Sequence, residues 1–285
     1  MKVINSIIQM QSFSESLRLQ GKKISFVPTM GYFHEGHLDL MRVARKMADC
    51  LVVSIYVNPT QFGPKEDLSK YPRDFDRDYK MAESVNVDVI FYPPDKEMYP
   101  ENYQTYVNVE KVTLNLCGLS RPIHFRGVAT VCNKLFNIVK PHFAVFGKKD
   151  YQQFITIKRM VADLNLDLEI IGMTTVREVD GLAMSSRNVY LKENERPSAL
   201  QLINSLKLAQ KLYESGERKS AVILNEVTKL IKSAPSTEID YVKICDAATI
   251  ADVDEINAEA VIALAVKVGK TRIIDNHVFG DKFNT

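Results

Sequence analysis

The stretch KKISFVPTMGYFHEGHLDLMRVARKMADCLVVSIYVN, residues 22–58, decides the fold. Its opening, KKISFVPT, is rich in β-branched and aromatic residues and reads as a buried strand. In HLDLMRVARKMA, Leu38, Met41 and Ala44 or Arg45 recur at helical spacing, which predicts an amphipathic helix. CLVVSIYVN is again a buried strand. Strand, glycine-containing loop, helix and strand make a βαβ unit, whose strands must run parallel with a right-handed crossover.

The same alternation continues outward. FDRDYKMAESV reads as a helix and VDVIFYPP as a strand closed by two prolines. RGVATVCNKLFNIVK is a helix, HFAVFG a strand, KDYQQFITIKRMVADLN a helix and LDLEIIGM a strand. Near-continuous apolar strands alternating with helices predict an α/β, Rossmann-like doubly wound parallel sheet over residues 1–173. Ligands of such sheets bind at the carboxyl ends of the strands. From residue 174 the pattern changes. RPSALQLINSLKLAQKLYESG and ERKSAVILNEVTKLIKSA are helices parted at Gly216, and TEIDYVKICD and EAVIALAVKVGKTRIID are strands. Helices followed by strands predict a smaller α+β domain over 174–285.

Composition excludes several classes. With 37 basic and 35 acidic residues the net charge is +2, so nothing global points to nucleic acid or an anionic membrane. The longest uncharged apolar run is far too short to span a bilayer, and MKVINSIIQMQSFSES lacks the apolar core of a leader. Cys50, Cys117, Cys132 and Cys245 are scattered without a CxxC pair, which predicts a reduced, cytoplasmic setting.

Chemistry concentrates at the strand ends. In PTMGYFHEGH, a helix begins where a strand stops, so unpaired backbone N–H groups and the helix dipole offer an anion site. His34 and His37 can then reach one phosphate, with Met30, Gly31 and Gly36 in the turn. A zinc reading competes, but the metalloprotease signature spaces its histidines four apart, whereas HEGH spaces them three apart without a nearby third ligand. VNPTQF brings Asn58 and Gln61, neutral groups suited to an uncharged substrate group or a carboxylate oxygen; an Asn-Pro turn explains the same residues. HFAVFGKKDYQQF ends a strand at Gly147–Lys148–Lys149–Asp150. Lys149 can neutralise a phosphate, Asp150 can hold a ribose hydroxyl or cap the helix, and Gln153 lies three residues on. In DGLAMSSRNVYL, Ser185, Ser186 and Arg187 form a polyphosphate clamp or a plain turn. A nucleotide polyphosphate site is the economical sum. No Walker or dinucleotide fingerprint accompanies it.

These stretches resemble a known family. PTMGYFHEGH is similar to the HIGH-type signature of nucleotidyltransferases, and MSSRN to their second phosphate-binding motif. In order, PTMGYFHEGH, NPTQF, YPR, RPIHFRGVATV, FGKKDYQQ and VREVDGLAMSSRN resemble the pantothenate synthetase (pantoate–β-alanine ligase) family from about Lys22 to Leu191. The resemblance implies a ligase that condenses pantoate with β-alanine through a pantoyl adenylate, consuming ATP with Mg2+ and releasing AMP and pyrophosphate. It implies an ATP site of Met30, Gly31, His34, His37, Gly147, Lys148, Lys149, Asp150, Val176, Met184, Ser185, Ser186 and Arg187. Gln61 and Gln153 would hold pantoate, with Gln61 also near the amine. His37, with His34 beside it, and Lys149 would be catalytic, in a cytoplasmic homodimer. The family commonly carries Glu where this chain has Lys148, and in the acidic run after Tyr71–Pro72–Arg73 either Asp76 or Asp78 is a candidate to assist Mg2+. Three rivals share parts of this pattern: a nucleotidyltransferase releasing a stable adenylated product, a nucleotide sensor without turnover, and a zinc hydrolase.

Overall fold

Strands β1 (Lys2–Ile4), β2 (Ile24–Thr29), β3 (Cys50–Ile55), β4 (Val89–Phe91), β5 (Phe143–Gly147) and β6 (Glu169–Met173) form one sheet in the order β1-β4-β3-β2-β5-β6. Every pairing in it is parallel. This computed structural model describes residues 1–64 and 66–283. The α-helices are α1 (Ile7–Leu19), α2 (Glu35–Met47), α3 (Phe75–Ser84), α4 (Asp95–Met98) and α5 (Cys117–Ser120). They continue with α6 (His124–Val139), α7 (Tyr151–Asp163), α8 (Arg196–Ala199), α9 (Gln201–Glu214) and α10 (Ser220–Lys232).

The chain divides into two units by its internal contacts. The first takes Met1–Val109, Arg121–Lys148 and Thr156–Met173; the second takes Glu110–Ser120, Lys149–Ile155 and the chain from Thr174 onward.

In the first unit β2 pairs with β3 from Ile24↔Cys50 through Thr29↔Ile55, and all six residues of β3 are buried. Burial on both faces is why these strands are apolar without alternation. Helix α2 buries Leu38, Met41 and Ala44 among Val27, Phe33, Leu51 and Val53, so Ala44 rather than Arg45 completes the stripe. Arg45 instead donates to the Ala48 carbonyl at 2.6 Å and pairs with Asp88.

The strand order reverses between β2 and β5, the switch point at which such sheets open a crevice. The β2–β5 ladder pairs only Ser25↔Phe143 and Phe26↔Ala144. Pro28 follows, and having no N–H it cannot extend that ladder. Among the described residues no ladder pairing therefore joins the carboxyl ends of β2 and β5.

In the second unit β7 (Thr237–Asp246), β8 (Ala260–Val268) and β9 (Thr271–Val278) form an antiparallel sheet in that order. Helices α9 and α10 contribute Leu202, Leu206, Ile223, Val227 and Ile231 to a core shared with Ile262, Leu264 and Val266. The run EAVIALAVKVGKTRIID, expected as one strand, is a hairpin. Val268 pairs with Thr271 across the two-residue turn Gly269–Lys270, and Gly269 has φ +58°, a conformation glycine adopts without a Cβ penalty. Among the described residues no helix is long and apolar enough to cross a membrane.

Candidate active site

In the first unit, β2 ends at Thr29, whose hydroxyl donates to the Ser54 carbonyl at 2.7 Å and accepts the Gly31 N–H at 3.1 Å. Gly31 (φ +80°) and Tyr32 (φ +53°) then turn the chain through two consecutive left-handed residues. The chain next enters α2, with His34 as the N-cap residue and His37 in the first turn. The two imidazoles lie with centroids 4.1 Å apart, their planes tilted by 36°. His37 Nδ1 accepts the backbone N–H of His34 at 3.3 Å. An accepting Nδ1 places the proton of the neutral ring on Nε2, so His37 carries its donor on the outer nitrogen. The sequence expectation that both histidines share the helix entry agrees with this geometry.

Gln61 lies in a three-residue helical turn, Pro59–Gln61, capped by Asn58. Asn58 is 1% exposed and donates to Gln61 Oε1 and to the Gly127 carbonyl, both at 3.1 Å. With its oxygen so engaged, the Gln61 amide directs its NH2 to Met30 Sδ at 3.2 Å. Gln61 and the Met30–Gly31 turn are thus brought together, and Asn58 fixes which face of the amide is offered. The Asn-Pro turn and the site reading are compatible, because the turn is what orients the glutamine. The Gln61 carbonyl is bound by His124 Nδ1 at 3.0 Å and by Arg121 Nη2 at 3.3 Å. Arg121 also pairs with Glu66 through two bonds. Burial opposes the Glu66 charge, but the guanidinium outweighs it and holds the carboxyl below its usual range.

Gly127 of α6 explains how that turn packs so closely. A Cβ there would stand 2.4 Å from the Thr60 carbonyl oxygen and 2.6 Å from Gln61 Cα. Gly127→Ala should therefore displace Gln61 or lower stability by about 1–3 kcal/mol. The expected result is a lower melting temperature together with a raised KM for pantoate, the substrate the sequence reading assigns to Gln61. Wild-type values for both would show that the turn is not held by this contact.

A cavity of about 420 Å³ lies in the same unit, lined by Met30, Gly31, Tyr32, Tyr56, Arg73 and Asp78 among others. Asp78, named from sequence as a possible aid to Mg2+, accepts the Tyr32 and Phe33 N–H groups at 2.6 and 2.7 Å. Burial raises its pKa and those two amide bonds oppose the rise. Gly147 ends β5, and Lys148 follows in a short 3-10 turn, Lys148–Asp150. That turn leads straight into α7.

In the second unit, Lys149 and Asp150 approach each other to 3.9 Å, and the Lys149 carbonyl accepts from Asn276 Nδ2 at 2.8 Å. Gln153 is half-buried in the first turn of α7. Its neighbour Gln152 is buried and accepts from Cys117 N while donating to the Val112 and Asn115 carbonyls, a purely structural set. The loop 176–184 folds back on itself, and Met184 N donates to the Val176 carbonyl at 3.0 Å, bringing those two residues side by side. Ser185 caps the turn Ser186–Tyr190, its hydroxyl oxygen accepting Arg187 N at 3.2 Å. That leaves the Ser185 hydroxyl proton to donate. Arg177 is spent on Asp275, with contacts at 2.7 and 3.1 Å. Among the described residues no group of three or more His, Cys, Asp or Glu side chains stands close enough to hold a metal ion.

A parallel sheet whose switch point is bordered by a helix opened by His-x-x-His is a Rossmann-like arrangement, the class expected from the sequence. Comparison with known proteins narrows it. The sequence profile of the family described as Pantoate-beta-alanine ligase matches residues 2–278. The pantothenate synthetase of Syntrophus aciditrophicus is 67% identical over 284 residues, covering 100% of this chain and 99% of its own. That of Geobacter sulfurreducens is 56% identical over 282 residues, covering 99% and 100%. The crystal structure of pantothenate synthetase from Thermus thermophilus superposes with a TM-score of 0.92 at 39% identity, covering 97% of this chain and 99% of that one. The pantoate-beta-alanine ligase of Francisella tularensis, complexed with beta-gamma ATP and beta-alanine, gives 0.79 at 33% identity, covering 98% and 97%. The chain belongs to the pantoate–β-alanine ligase family.

Proposed function

We propose that His34, His37, Lys149 and the Ser185–Arg187 turn act on the phosphates of ATP, and that Gln61 and Gln153 hold pantoate, with Gln61 also near the amine of β-alanine. As a member of its family the chain is an ATP-dependent carbon–nitrogen ligase that joins pantoate to β-alanine, giving pantothenate, AMP and pyrophosphate. ATP is needed because a carboxylate is a poor electrophile towards an amine at neutral pH. Attack of the pantoate carboxylate on the α-phosphorus forms an acyl adenylate and breaks the bond to pyrophosphate. The β-alanine amine then attacks the acyl carbon and AMP leaves. The first step asks the protein chiefly for positioning and charge stabilisation.

The observation that carries this reading is the placement of His34 and His37 at the entry of α2, directly after the strand that borders the switch point. There the helix N-terminus and the His37 donor favour developing negative charge on phosphoryl oxygens. Met30, Gly31, Gly147, Lys148, Asp150, Val176 and Met184 complete the ATP contacts in this reading. Mg2+ enters on the triphosphate itself, consistent with a donor set that lacks a three-ligand cluster among the described residues. A division near residue 173, a homodimer and a cytoplasmic setting extend the family resemblance.

Incubation with ATP, Mg2+, pantoate and β-alanine should yield pantothenate and AMP in equal amounts. A stable adenylated product released without β-alanine would favour the nucleotidyltransferase, and binding of ATP without turnover the sensor.

A further inference from the structure

The turn between β2 and α2 is held by a carboxylate outside the residues proposed above to hold ATP and pantoate. Asp78 lies on α3, is 1% exposed, and accepts Tyr32 N–H on Oδ2 at 2.6 Å and Phe33 N–H on Oδ1 at 2.7 Å. Two successive left-handed residues turn adjacent N–H groups to one side, the arrangement that cradles an anion. Here the anion is supplied by the protein. Gly31 also makes room for it, since a Cβ there would meet Asp78 Oδ2 and Ile55 Cγ2, each at 2.9 Å. Arg77, the preceding residue of α3, lies over the Tyr32 ring at 4.9 Å, with Nη1 3.6 Å from Asp78 Oδ1. A left-handed tyrosine and a buried carboxylate are each unfavourable alone. Both persist because each satisfies the other. The clamped residues directly precede His34, the N-cap of α2, so their path sets the direction in which the first turn of α2 and its two imidazoles emerge.

We infer that Asp78 is a positioning residue for adenylate formation, clamping the Tyr32–Phe33 amides so that His34 and His37 are held in register with the phosphates. The inference rests on the reading of that loop as the adenylation site.

In Asp78→Asn one carboxylate oxygen becomes an NH2 facing a backbone N–H. The expected result is a kcat lowered about 10- to 100-fold, because small misplacements of reacting groups are costly, while KM for pantoate and β-alanine changes by less than about threefold. The Mg2+ concentration for half-maximal rate should stay at the wild-type value. Asp78→Glu keeps the charge but moves it, and should lose rate in the same way. Amide hydrogen exchange of Tyr32 and Phe33 should be slow in the wild-type protein and faster in either variant.

A wild-type kcat in Asp78→Asn overturns the inference. So does a raised Mg2+ requirement with the rate restored at high Mg2+, which would make Asp78 a metal ligand. Fast exchange at Tyr32 and Phe33 in the wild type overturns it even if neither variant folds. If the wild type forms no adenylate, the functional reading fails instead, while the exchange rates still report on the clamp.

Discussion

Replacing His37 by alanine is expected to lower kcat by two or more orders of magnitude while leaving the fold intact. His37 stands in the first turn of α2, at the positive end of the helix dipole. Its Nδ1 is committed to the His34 N–H, which commits Nε2 to carrying the donor proton. A donor placed where phosphoryl charge develops is worth about 3 kcal/mol, or roughly 10²–10³ in rate. The structural cost is smaller. Alanine is a good helix former, and the lost bond resembles a capping bond worth about 1 kcal/mol. Circular dichroism and steady-state rates on the purified variant check this, and a near-normal kcat would remove His37 from the chemistry.

Lys149→Ala should be comparably severe, with Lys148→Glu mild beside it. The two lysines are adjacent in the turn Lys148–Asp150, where 3-10 geometry rotates successive side chains by about 120° and sends them in different directions. Lys149 is held in its setting. Its side chain is 18% exposed and approaches Asp150, and its carbonyl is tied to Asn276. An ammonium held in this way can meet a phosphate without first being ordered. The family resemblance of the sequence implies a glutamate at position 148, so Lys148→Glu is expected to be tolerated. Rates under saturating ATP should separate the two, and a larger loss in Lys148→Glu would reverse the assignment of the loop.

Much of this was legible because burial on both faces leaves an unmistakable apolar run. The strands β2, β3 and β5 and the stripe Leu38–Met41–Ala44 are written in residue type alone. The edge strand Lys2–Ile4 was not seen, since three residues with two exposed carry no periodicity. Helix α1 buries only Met10 and Ser14 fully, too sparse a pattern to declare itself. The β8–β9 hairpin hid inside one apolar run because its turn is only Gly269–Lys270.

At the site, motif spacing marked His34, His37, Gln61 and Ser185, but not what holds them. Asn58 looked like a turn residue, and its grip on Gln61 and Gly127 depends on a contact 69 positions away. Asp78 sat in an acidic stretch that suggested metal, and its two amide partners lie 46 and 45 positions earlier. Long-range hydrogen bonds leave no local signature in a single sequence.

The central claim is that pantoate is activated as a bound adenylate before the amine takes part. Pyrophosphate–ATP exchange tests it most directly, because labelled pyrophosphate can enter ATP only if that first step forms and reverses. Exchange is predicted with pantoate, ATP and Mg2+ alone, with none when β-alanine replaces pantoate. Exchange that strictly requires β-alanine, or no exchange under any combination while pantothenate is still made, would contradict the two-step account.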